Sequence, residues 1–146
     1  MDQYKPNYKA VVVAGVVMWV IGAVWYSVFG ALWMSFTGVT EEMATMMTTT
    51  DTVILYAGSI VAFMLVFYVQ DHIMFTFKAS DIKSAVQCGF WMWLGFIATS
   101  FFVQLVYQMK PYGLWFIDTA YWLLSMVVGS IILVTMKKKR ESVSEA

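Results

Sequence analysis

Cysteine, histidine and charge are all scarce in this chain, and each shortage removes a class of answer. Cys88 is the single cysteine among 146 residues and lies inside an apolar run, so no intramolecular disulfide can form and no Cys/His metal cluster can be built. As a small buried hydrophobe it needs no further role. His72 is the single histidine; with no second His or nearby Glu pair it makes a poor metal ligand. Charged residues are 12% of the chain and the formal net charge is zero, so no basic footprint points to nucleic acid. There is no Gly-rich phosphate loop and no helix with paired histidines. The serines with an acid nearby fall at the opposite membrane face from His72, so no Ser-His-Asp set has plausible proximity. These absences leave a catalytic reading little to stand on, and no cofactor is expected.

What the chain does have is apolar residues, 61% of the total, with a mean hydropathy of +0.72. A single domain of this length cannot hide that much apolar surface from water, so lipid must cover the rest. The residues come in long charge-free runs. No charge occurs from Ala10 to Thr40, and Ala10 to Phe29 alone is long enough to cross a bilayer. That run is too long for a cleavable signal and ends in Trp25, Tyr26 and Phe29, so it is expected to stay as a helix. The expected spans are about 10–29, 53–72, 84–107 and 114–136. Gly30 is expected to end or bend the first, with Trp33 anchoring an interfacial continuation. Thr40 before Glu41 and Glu42 predicts a short outer surface helix, and Asp51 or Thr52 is expected to cap the second span. The turn around Lys110-Pro111 and Gly113 is so short that the last two spans must be antiparallel neighbours. The basic block Lys137 to Arg140 is expected to stop the fourth span, leaving a disordered tail.

Orientation follows from the basic residues, which are retained on the cytoplasmic side. Four spans place Lys5, Lys9, Lys78, Lys83 and Lys137 to Arg140 on one side and Lys110 alone on the other. The sequence therefore predicts an all-α, four-helix transmembrane bundle in a bacterial inner membrane with both termini cytoplasmic. Helices in lipid associate where small residues let backbones approach. Each span has such a seam: Ala10, Ala14, Gly15 and Gly22; Gly58 and Ala62; Ala85 and Gly89; Ser125 and Gly129.

An ionisable residue inside a span is costly and is a functional candidate by default. Asp118 lies roughly one turn below the outer end of the fourth helix. Polar and amphipathic groups recur at its depth: Trp25, Tyr26 and Ser27 on the first helix, Tyr56 and Ser59 on the second, Gln104 and Gln108 on the third, and Tyr121 on the fourth. If these faces converge they form an outward-facing polar pocket for a cation or proton; otherwise Asp118 accepts hydrogen bonds and locks helices together. Gln70, Asp71 and His72 form a second cluster at the inner end.

The segments Gly22-Ala23-Val24-Trp25-Tyr26-Ser27, Phe29-Gly30, Trp33-Met34, Trp93-Leu94-Gly95-Phe96, Lys110-Pro111 and Ile117-Asp118-Thr119-Ala120-Tyr121 resemble the domain of unknown function 1761 family of small bacterial membrane proteins. Val28 stands where that family's pattern has Pro. The resemblance implies a four-helix inner-membrane protein with no established biochemical role. It makes Trp25, Tyr26, Ser27, Gly95 and Asp118 the positions to test first. The function expected is non-catalytic, as a homo-oligomer or as an accessory subunit beside other membrane subunits. Rival expectations are a small-cation or solute carrier using Asp118 and, more weakly, a quinone-binding or membrane-bound enzyme.

Overall fold

The computed structural model describes residues 4–144, with 138–144 as backbone only, and all its regular structure is helical. Helix α1 (Tyr8–Thr37) starts where the Asn7 side chain accepts from the Ala10 N–H, and it stops at Gly38. There φ is +79° and the Gly38 N–H closes on the Met34 carbonyl, a left-handed cap that suits glycine. Gly30 neither ends nor bends α1 out of helical geometry. A mid-helix glycine costs about 1 kcal/mol relative to alanine, too little to break a run flanked by apolar residues. A short helix stands where one was expected, α2 (Glu41–Thr45), with Thr40 accepting from the Met43 N–H.

Helix α3 (Thr49–Thr76) begins before the apolar run, because Thr48 and Asp51 form a reciprocal capping box. Thr48 is the cap, and Asp51 sits three residues inside the helix rather than at its start. The C-terminal end of α3, which hydropathy left open, falls at Thr76: Lys78 takes φ of 55° and the Ala79 N–H reaches back to the Met74 carbonyl at 2.9 Å. Asp81 then caps α4 (Ile82–Met92) through the Lys83 and Ser84 N–H groups, two residues before the expected start at Ser84. The third span continues through a π-helical turn, Trp93–Ala98, into α5 (Thr99–Tyr107). Helix α6 (Tyr112–Ser144) follows the Pro111 turn and runs straight through the basic block. Lys and Arg are good helix formers and favour the negative end of the helix dipole, so the block does not stop the helix. Of the tail expected to be disordered, 141–144 is helical and 145–146 lies outside the described residues.

Four helices are long and apolar enough to span a membrane: Tyr8–Thr37, Thr49–Thr76, Ile82–Tyr107 and Tyr112–Lys137. They stand in the order α3, α1, α6, α4/α5, with α1 between α3 and α6, and with α3 meeting α6 and α4 only over small areas. The bundle is thus open along one side. As the short turn required, α5 and α6 are neighbours.

Close approach occurs at glycines. A Cβ on Gly15 would stand 3.1 Å from the Met64 side chain, one on Gly22 2.7 Å from the Tyr121 hydroxyl, and one on Gly89 2.6 Å from the Met126 carbonyl; one on Gly129 would overlap the Phe67 ring. The fully buried side chains Met18, Phe67, Met126, Leu133 and Val134 gather around these contacts. The core therefore lies mostly in the half of the molecule that also holds both described ends, where Tyr4 and Lys137 each meet Phe75.

Candidate functional site

Asp118 stands in the second turn of α6, and the Tyr26 hydroxyl of α1 donates to its Oδ1 at 2.8 Å. Aromatic rings enclose this pair: Tyr26 meets Trp33 and Tyr121 edge-on at 6.0 and 5.7 Å, and Trp25 lies 6.2 Å from Tyr121. Tyr121 is fixed in turn, since its hydroxyl donates to the Met18 carbonyl at 2.8 Å. The Trp25 indole N–H is buried with no partner among the described residues. The geometry ties α1 to α6 through a hydrogen bond between phenol and carboxyl in a ring-lined, low-dielectric setting, where such a bond is stronger than in water.

The other groups at this depth do not join it. Ser27 is exposed and donates back to its own helix at the Ala23 carbonyl. Tyr56 is exposed on α3 with its ring edge-on to Trp19, and Ser59 accepts from the Trp19 indole at 3.0 Å. They belong to the α1–α3 contact, since both meet Trp19 of α1. Gln104 and Gln108 are exposed, while their neighbour Leu105 is the buried residue of α5. A π turn takes up one residue more than an α turn, so side chains beyond it change face. That shift carries Gln104 away from the face an uninterrupted α-helix would give it.

At the opposite end, Asp71 is buried and accepts from the Tyr4 hydroxyl at 2.9 Å and the Asn7 N–H at 3.4 Å. Burial, and then the Asp71 carboxylate, hold the Tyr4 hydroxyl well above the ordinary tyrosine range. The Tyr4 ring also stands edge-on to His72 at 4.5 Å. The segment 4–7 is thereby strapped across the end of α3, and exposed His72 borders the strap.

Three locks carry little signal in the sequence. Fully buried Gln70 donates to the Met126 carbonyl at 2.8 Å and to Ser130 Oγ at 2.6 Å, while its own Oε1 has no partner among the described residues. The Trp93 indole donates to the Thr119 carbonyl at 2.7 Å, and the Trp115 indole donates to the Ala98 carbonyl at 2.8 Å. The two indoles clamp the π turn to α6 from opposite sides. The sequence had grouped Gln70 with Asp71 and His72, and the Ser125/Gly129 seam lies next to Ser130, but neither pattern paired Gln70 with α6; nothing marked the two indoles as donors. Among the described residues no three His, Cys, Asp or Glu side chains converge as a metal site.

The model of the family described as "Protein of unknown function (DUF1761)" matches residues 9–134. The chain belongs to that family. No curated protein and no solved structure matches it. The DUF1761 match takes in the Tyr26–Asp118 pair, the π turn and the Gln70 junction. It stops short of Tyr4, so the strap lies outside the matched region.

Proposed function

We propose that this chain is a non-catalytic multi-pass protein of the bacterial inner membrane, with both termini cytoplasmic, that works as a homo-oligomer or accessory subunit by lateral association through α3. One observation carries the reading: 6% of the α3 span is buried within the chain, against 44% of the α6 span. The small-residue seams of α1, α4 and α6 are used internally, whereas a Cβ on Gly58 would meet nothing within 4 Å and Ala62 is exposed. A seam on a mostly uncovered helix is suited to a second transmembrane helix.

The test is purification from native membranes in mild detergent, with wild type compared with Gly58→Leu. The wild type should run as a defined oligomer or with a stoichiometric membrane partner. Gly58→Leu should fold but run alone. A wild-type chain that is monomeric and unaccompanied in native lipid refutes the proposal.

A second reading, a carrier or channel for a small cation or solute, draws on one feature: Asp118 is the single charged residue between Lys110 and Lys137. It requires Asp118→Asn to lose a pH-dependent flux in liposomes. Flux equal to wild type removes Asp118 from any path.

A further inference from the structure

Where α3 and the third span diverge, a groove of about 560 Å³ opens between them. Ile73 of α3 and Phe77, the cap of that helix, form one wall; Cys88, Trp91 and Met92 of α4 and Phe96 of the π turn form the other. Ser84 and Gln87, from the first turns of α4, are its polar lining residues, so the polar part lies at the end nearest the α3–α4 connection. From Ser84 to Phe96 the wall rises about 18 Å at 1.5 Å per residue. That is close to the depth of one leaflet, roughly half of a 30 Å hydrocarbon core.

The connection at the polar end carries Lys78 and Lys83. Its one acid, Asp81, caps α4: its carboxylate accepts from the Lys83 and Ser84 N–H groups at 2.8 and 3.1 Å and from the Ser84 hydroxyl at 2.9 Å. Two cations thus flank a greasy slot with one wall of leaflet length, beside an acid that caps a helix.

We propose that the groove retains one acyl chain of an anionic phospholipid from the leaflet at the terminal side, with its headgroup held at Lys78 and Lys83. Juxtamembrane lysines attract anionic lipid generally; the groove adds a fixed seat for the tail. This inference is independent of association through the outer half of α3.

The experiment is native mass spectrometry of the full chain after reconstitution in vesicles with equal phosphatidylglycerol and phosphatidylcholine. One retained phospholipid is expected, with phosphatidylglycerol favoured several-fold. Lys78→Gln with Lys83→Gln, both exposed positions, should keep the adduct and bring the two lipids to near equality. Cys88→Phe should fill the slot and lose the adduct. Cys88 also reports directly: its labelling by a small maleimide should slow several-fold when phosphatidylglycerol replaces a short-chain detergent. Absence of any retained lipid, equal retention of both lipids by wild type, or efficient Cys88–Cys88 cross-linking between copies overturns the proposal. The lysine pair keeps it falsifiable should Cys88→Phe not fold.

Discussion

Tyr26 and Asp118 are 92 positions apart in sequence, and among the described residues their 2.8 Å hydrogen bond is the polar contact that unites two of the candidates grouped by depth on α1 and α6. If the bond is a lock, its worth is a coupling energy measurable by a double-mutant cycle. Tyr26→Phe and Asp118→Asn should each lower unfolding stability in detergent, and the double variant should lose less than their sum. The expected coupling is about 0.6 kcal/mol, and up to about 1.7 kcal/mol. Strict additivity removes the lock. The Tyr4 strap makes a prediction of opposite location and clear sign. Because its hydroxyl is held above the ordinary range, the unfolded chain releases this proton at lower pH than the folded one. The contribution is complete below about pH 10, the usual tyrosine value, and declines as pH rises above it. Wild type should therefore lose thermal stability relative to Tyr4→Phe between neutral and strongly alkaline pH. Parallel pH profiles for the two proteins exclude the Tyr4–Asp71 bond as the cause.

Glycines of the same appearance differ at the scale of helices. Gly89 and Gly58 each sit in a small-residue seam, yet a Cβ on Gly89 meets the Met126 carbonyl oxygen at 2.6 Å and its carbon at 3.0 Å, while one on Gly58 meets nothing. Gly89→Ala must push α4 off α6 and should cost about 1–3 kcal/mol, as overpacking does. Gly58→Ala should leave chain stability unchanged or slightly higher, since alanine is the better helix former. Melting temperatures in detergent decide between them, and equal shifts would mean that α4 and α6 do not approach as described. This pair also marks what was legible in the sequence. Charge-free runs revealed four spans because lipid penalises charge wherever it falls. Helix ends were less visible, because Thr48, Asp81 and Gly38 fix them by backbone capping that hydropathy does not register. The π turn was hidden, since Trp93-Leu94-Gly95-Phe96 is as apolar as any α-helical turn. With it went the phase of α5, and hence the exposed position of Gln104.

Across the molecule, short loops limited which helices could touch, and α5 and α6 obeyed that limit. The order α3, α1, α6, α4/α5 was not readable, because it depends on which glycine meets which side chain across the membrane. Polarity of the whole assembly is where charge makes the strongest demand. The end holding Tyr4, Lys137 and the α3–α4 connection carries eight of the nine basic residues, Lys5, Lys9, Lys78, Lys83 and Lys137 to Arg140. The ninth, Lys110, donates to the Thr37 carbonyl at 2.7 Å and thereby fastens the α5–α6 turn to the end of α1. That bond leaves its charge intact, so the proposed orientation rests on the eight-to-one excess at the other end. In a Cys88→Ser background, Thr45→Cys on α2 should be labelled in intact cells by a membrane-impermeant maleimide. Ser80→Cys, in the α3–α4 connection, should react only after the cells are opened. Both positions are exposed, so slow chemistry cannot imitate sidedness, and the inverse labelling pattern would place the basic end outside and reject the cytoplasmic assignment of both termini.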